Sequence, residues 1–333
     1  MKNLNQILLK LKDQVQFGED IKMENEERSK INTKVFGCGK SGMNIAQKIY
    51  ELSIPGTEIV DVSEDALHLI ETTANKKVLV GMNITKGLGG YSLESIERDL
   101  IESDSNIRNI LNGYNIAIIT AGLGGRYSSV IPAYISRVAK EINPDGIVIG
   151  VVTMPLSAEG KIRKDNAQYG LKKMLDVCDT IILFSLDSII NIYNKFLMDE
   201  IFQIADEILK EIIYRMIETI NQEIGENRRD ELREIFKKGK VGTIGIGESD
   251  DQLSRIRKAT EEALNSPLIF GDLKEANTVL LMIISDNDIP LSETKEAEVI
   301  IKEIINISST LKTYSFVDSN LKDYVRVIIF FLG

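Results

Sequence analysis

The chain has 333 residues, long for one domain, so two are expected. Its hydrophobic share of 43% allows sizeable cores in a soluble globular protein, while a net charge of −10 excludes a duplex nucleic-acid binder, which needs a basic face to displace counterions. Two cysteines without paired spacing, Cys38 and Cys178, fit a reducing cytoplasm and offer no zinc site, and the single histidine, His68, gives no footing for Ser-His or His-metal chemistry.

Residues 1–30 read as a helical extension in which Ile7, Leu8, Leu11 and Val15 recur at helical spacing, followed by a charged stretch. No apolar run reaches the roughly 18 residues that a spanning helix needs. The N-terminus lacks a signal peptide's apolar core, so a cytoplasmic location is expected. From Asn32 onward, short apolar runs alternate with amphipathic helices. The strands are "TKVFGCG", which enters a turn, "TEIVDVS", "KKVLVG", "NIAIITAG", "GIVIGVVTMP" and "TIILFSL". One helix is expected over "SLESIERDLIESDSNIRNILN". This alternation predicts an α/β domain over residues 31–190, with a parallel sheet covered on both faces.

A central helix follows over 191–224, its core at roughly 192–220 free of glycine and proline. Residues 225–333 read as a smaller α+β domain, in which "LKTYSFVDS" and "YVRVIIFFLG" are expected to pair as strands closing a second sheet.

Ligands of parallel sheets bind beyond the carboxyl ends of the strands, and the glycine turns of this chain lie there. "GKS" in "VFGCGKSGMN" invites a P-loop reading, but that motif needs a glycine where Lys34 stands. The alternative is a strand, a turn at Gly37 and Gly39, and Gly42 allowing close backbone approach at a helix start, with amides and helix dipole facing a phosphate. Taken alone, such a turn serves as chain punctuation as readily as a ligand site. Four more turns, "VSEDA", "GLGG", "AGLGG" and "VTMP", make one extended nucleotide site the better reading.

From about Thr33 to Gly333, the order of these segments resembles the FtsZ/tubulin superfamily, with archaeal FtsZ the nearest likeness. "VFGCGKSGMN" is similar to the family's first loop, V-x-G-x-G-G-x-G-N-N, with Asn44 on its second Asn. "VSEDALHLIETTANKKVLVG" resembles N-T-D-A-Q-x-L…K-K-x-L-I-G and places Asp65 on the aspartate near the terminal phosphate and its metal. "KGLGG" supplies Gly89 and Gly90, and "AGLGG" supplies Gly122, Gly124 and Gly125. "VVTMPLSAEGKIR", with Thr153, Pro155, Glu159 and Arg163, resembles V-V-T-x-P-F-x-x-E-G-x-x-R; "IFQIADEIL" and "GIGES" also match family segments.

The resemblance implies the tubulin/FtsZ fold: a Rossmann-like GTPase domain joined by a long central helix to the smaller domain. It implies GTP or GDP as ligand, with any Mg2+ held mainly by the phosphates. Phe202 would stack on guanine and Asp206 would accept from its N1 and N2 hydrogens, the two sharing a helix face. Glu159 and Arg163 match the pair near ribose and phosphates.

Two departures stand out. The signature G-G-G-T-G-T-G runs along residues 124–130, so Arg126 and Tyr127 bring bulk, and Ser128 and Ser129 bring hydroxyls, into a glycine cradle. Arg126 either pairs with phosphate or fills the site. The acids of N-x-D-F-A-D, which the family inserts into the next subunit's site, meet Arg229 and Leu232 counted forward from Phe202. Counted back from "GIGES" they meet Arg228 and Glu231, which leaves Asp230 and Glu231 as substitutes.

The expectation is therefore an FtsZ-like cytoskeletal filament protein with weak or absent GTP hydrolysis. It would assemble head-to-tail with itself or another FtsZ, and would lack the family's C-terminal tail for membrane-tethering partners. An active assembling GTPase of cell division and a nucleotide-free scaffold or cap on another FtsZ are the alternatives.

Overall fold

The computed structural model describes residues 31–81, 92–192, 195–222, 231, 235–237, 241–251, 254–306 and 308–333. The expected N-terminal helix, Gly89, Gly90 and Asp230 lie outside them. The described residues form two compact units, one from residues 31–187 with 198–237, the other from 188–197 with 238–333.

The first unit holds six parallel strands: β1 (Thr33–Cys38), β2 (Thr57–Ser63), β3 (Lys76–Leu79), β4 (Ile116–Gly122), β5 (Ile147–Met154) and β6 (Thr180–Ser185). Their spatial order is β3-β2-β1-β4-β5-β6, so the winding reverses between β1 and β4. In open parallel sheets that reversal opens the crevice where ligands bind. The strands are buried almost throughout, as a sheet covered by helices requires.

The helices of this unit are α1 (Gly39–Glu51), α2 (Ala66–Glu71), α3 (Leu93–Asp99), α4 (Asp104–Leu111), α5 (Arg126–Ile142), α6 (Lys161–Leu175), α7 (Leu186–Ile192, which runs past the unit's edge) and α8 (Met198–Gln222). Phe36, Val60, Ile119 and Val148 form a core with Ile131 and Ile135 of α5 and Met174 of α6, each such side chain contributing about 1.5–3 kcal/mol by burial.

The single helix expected over 92–112 is instead α3, a 3-10 turn (Leu100–Ser103) and α4. The run Glu-Ser-Asp-Ser at 102–105 explains the break, since Ser and Asp compete for backbone hydrogen bonds and favour turns and helix starts. The central helix begins at Met198, not near 192, and belongs to the same compact unit as the parallel sheet.

One oddity of this sheet is Asp61, fully buried in β2 with neither carboxyl oxygen hydrogen-bonded. Burial pushes its pKa up to about 6, against a smaller opposite pull from Thr72 and Lys77.

The second unit carries β7 (Val241–Ser249), β8 (Thr278–Ser285), β9 (Thr310–Val317) and β10 (Val325–Leu332), with helices α9 (Arg255–Leu264) and α10 (Leu291–Lys302). Strands β9 and β10 do not pair with each other: the order β7-β10-β8-β9 puts β8 between them. Residues of β8 and β10 are buried without exception and suit central strands, whereas β9 exposes Ser315 and Val317 and suits an edge. The glycines of "GIGES" have a packing reason here. A Cβ on Gly245 or Gly247 would lie 2.1 or 2.2 Å from carbonyl oxygens of Ala263 and Ala259 on α9.

Candidate functional site

At the reversal between β1 and β4, the carboxyl ends of the strands are level: Cys38 pairs with Val62 and Ala121, and Gly122 with Thr153. Gly42, in the first turns of α1, meets the strand beside it so closely that a Cβ would stand 2.3 Å from the Thr120 carbonyl oxygen. Gly39 starts the helix with φ +66, and a Cβ there would be 3.0 Å from Ser128 Cβ. The first loop and the signature loop therefore touch, and α1 and α5 begin side by side.

Neither helix start is closed. Cys38 and Gly125 occupy the N-cap positions of α1 and α5 without a side-chain cap, and neither first turn holds an acid. By contrast, Asp65 caps α2 by accepting from Leu67 and His68 amides at 2.9 and 3.3 Å, and Ser92 caps α3. Uncapped first-turn amides and the positive end of the dipole make an anion seat.

The signature loop is braced from behind. Gly124, at φ +119, donates its amide to Ser129 Oγ at 2.9 Å and accepts from Asn166 Nδ2 at 3.0 Å. Pro155 packs against the same glycine, and the Leu123 amide donates to the Thr153 carbonyl at 2.9 Å. The bulky replacements do not crowd one spot. Tyr127 packs on the core, its ring against Gly81, where a Cβ would fall 2.7 Å from the phenol oxygen. Arg126 is exposed and forms no ion pair among the described residues.

Along α8, Asp206 faces α1. Burial pushes its carboxyl up to about 7; Lys48 and Asn44 favour the charge and Glu207 opposes it. Lys48 in turn pairs with Glu207 at 2.5 Å. Phe202, one turn earlier, leaves 38% of its surface in solvent, on an end of α8 where Met198, Asp199 and Gln203 are exposed too. Glu159 and Arg163 close on each other at 2.5 Å, and the second Glu159 oxygen accepts from the Leu156 amide at 2.8 Å. Glu231 is helical and exposed.

The architecture can be compared with known proteins. Residues 32–194 match the Tubulin/FtsZ family GTPase domain and residues 240–333 the FtsZ family C-terminal domain. The cell division protein FtsZ of Haloferax mediterranei is 31% identical over 308 residues, 91% of this chain and 80% of that protein. The chain belongs to the FtsZ family.

Among solved structures, an empty FtsZ dimer of M. jannaschii superposes with a TM-score of 0.83 at 29% identity, covering 92% of this chain and 89% of that one. CetZ2 from Haloferax volcanii, at 16% identity and TM-score 0.76, covers 91% and 93% and shares the fold. The FtsZ architecture thus accounts for both units. No helix among the described residues is long and apolar enough to cross a membrane.

Three side chains escaped the sequence reading. Asn166 joins Ser129 in bracing Gly124, and Lys48 balances the charge beside Asp206. Lys40 stands where the first FtsZ loop has its third glycine, a substitution visible in "GCGKSG" once the motif is laid along it.

Proposed function

We propose that this FtsZ-family chain is a cytoplasmic filament protein. It binds GTP or GDP across the carboxyl edge of its parallel sheet and assembles head-to-tail with itself or another FtsZ. It hydrolyses GTP slowly or not at all. The observation that carries the binding reading is the convergence of the uncapped starts of α1 and α5 at the sheet reversal, with Asp206 on the stretch of α8 that Glu207 ties to Lys48 of α1.

These residues fit a guanine nucleotide. The Asp206 carboxylate accepts two parallel N–H bonds from the guanine edge, with Phe202 offering a ring to stack on. First-turn amides of α1 and α5 face the phosphates, and Asp65 is the family-matched acid near the terminal one. A bound GTP supplies the phosphoanhydride bond and, through its phosphates, a seat for Mg2+.

Assembly is supported by exposed apolar side chains next to these residues in the chain: Leu67 and Ile70 after Asp65, and Ile162 between Glu159 and Arg163. It is supported too by the dimer and protofilament described for the two structural relatives. Slow turnover is inferred from the sequence, where neither count sets both acids of N-x-D-F-A-D on acidic residues, since phosphoryl transfer without positioned carboxylates loses orders of magnitude in rate.

Titration calorimetry of the full chain with GTP and GDP, with and without Mg2+, tests the binding; micromolar-range dissociation is expected for such a site. No guanine binding under either condition overturns it and favours a nucleotide-free scaffold or cap. GTP turnover that rises with protein concentration and vanishes on changing Asp230 and Glu231 to Ala would overturn the slow-hydrolysis part alone.

A further inference from the structure

We propose that Lys40 and Arg126 are specificity-determining residues for the nucleotide's terminal phosphates, placing fixed side-chain charge where other FtsZ loops present bare glycine amides. The inference rests on the guanine-nucleotide reading above and says how this chain differs within it.

Both residues replace a glycine at the same place in their loops: Lys40 the third glycine of V-x-G-x-G-G-x-G-N-N, Arg126 the third of G-G-G-T-G-T-G. Lys40 is the second residue of α1 and Arg126 the first of α5. Those two helix starts adjoin, since Gly39 abuts Ser128 and β1 runs beside β4. Both side chains are exposed, and neither forms an ion pair among the described residues, whereas Arg108, Arg137, Arg163 and Arg257 each meet a carboxylate.

The positions are electrostatically wrong for an empty site. A cation at a helix N-terminus opposes the dipole, and here two such cations share one crevice with no acid in either first turn. A polyphosphate between them leaves those repulsions in place but adds an attraction to each cation and to each helix dipole that outweighs them. Arg126 is suited to grip phosphate oxygens bidentately, and Lys40 to add a compact charge. In a chain of net charge −10, the pair also gives an approaching polyanion a local attraction. The lost glycine contacts are thereby replaced, and affinity should grow steeply with the number of phosphates.

Calorimetry on the full chain with GTP, GDP and GMP is the test, comparing the natural chain with K40Q/R126Q and with the charge-keeping K40R/R126K. Neutralisation should weaken GTP by about tenfold or more and GMP by less than about threefold, while K40R/R126K keeps most of the GTP preference. A GTP-to-GMP affinity ratio unchanged in K40Q/R126Q overturns the proposal while leaving the nucleotide site standing. Failure of the natural chain to bind any of the three ligands overturns both. A melting curve of K40Q/R126Q matching the natural chain shows that the change in ratio is not a loss of fold.

Discussion

The loop at residues 37–42 and the loop at 122–129 lie side by side on one sheet edge, yet they have treated their glycines differently. In the first, Gly37 and Gly42 press on backbone: a Cβ on Gly42 would sit 2.3 Å from a carbonyl oxygen, and one on Gly37 2.8 Å from another. Backbone in a sheet cannot step aside, so those glycines remain. In the second, a Cβ on Gly125 would meet only the Ser128 hydroxyl at 2.7 Å, a group that can rotate away. There the chain has accepted Arg126, pointing to solvent, and Tyr127, turned onto Gly81. Lys40 agrees with the same rule, for it is exposed. Glycines that seat one element against another are fixed by packing; those that only leave room for a ligand are exchangeable when the ligand can be held another way.

The sharpest way to break this comparison is a matched pair of alanines. Gly42→Ala should destabilise by about 2–3 kcal/mol or more, because α1 must lift off β4. Gly125→Ala should cost under about 1 kcal/mol, the difference between two N-cap residues. Urea unfolding measures both, and equal losses would end the distinction.

Next in size is Asp206→Asn, which swaps a double acceptor for an amide that must offer a donor to guanine. A loss of about 30- to 100-fold in GTP affinity is expected, read by calorimetry. The same residue sets a pH dependence. Its carboxyl is raised to about 7 by burial, so the carboxylate that guanine requires forms only as pH rises, and GTP affinity should climb from pH 6 to 8 and then level. Stability runs the other way. A carboxyl whose folded pKa lies above its ordinary value favours the fold while protonated and opposes it once ionised. The natural chain should therefore lose stability relative to Asp206→Asn between about pH 4 and 7. A flat difference would show that Asp206 is ionised at lower pH.

A smaller effect is expected from Tyr127→Ala. Removing a half-buried ring that packs on Gly81 should cost about 1–3 kcal/mol, with little change in guanosine recognition. Smallest is Asn166→Ala, which deletes one hydrogen bond to the Gly124 carbonyl. About 1 kcal/mol of stability should go, and on the proposed reading, in which the Gly124 loop faces the phosphates, GTP should weaken more than GMP.

The parallel sheet was legible because strands buried on both faces read as unbroken apolar runs, and the turns that end them carry glycine. What the runs do not encode is neighbourhood. That β8 separates β9 from β10 depends on which strand tolerates an exposed edge, a property of the assembled sheet rather than of adjacent segments. The α3–α4 break hid in a polar stretch without glycine or proline. Within the site, the i,i+4 spacing of Phe202 and Asp206 and the glycine turns could be read directly. The Lys48–Glu207 pair and the Asn166 brace join residues far apart in the chain, and no local pattern announces them. The direction Tyr127 takes was equally invisible, because Gly81 follows β3 and Tyr127 follows β4, and two strands lie between those in the sheet.

Asp61 has a practical corollary for anyone handling this molecule. A carboxyl sealed inside the sheet at a pKa of about 6 is neutral in mildly acidic buffer and charged in neutral buffer, where it weighs against the native state. Resilience has thus been left unused in the middle of the parallel-sheet unit. Asp61→Ala should release it as a higher melting temperature at pH 7.5 that fades towards pH 5, which makes acidity a simple dial on the durability of this protein.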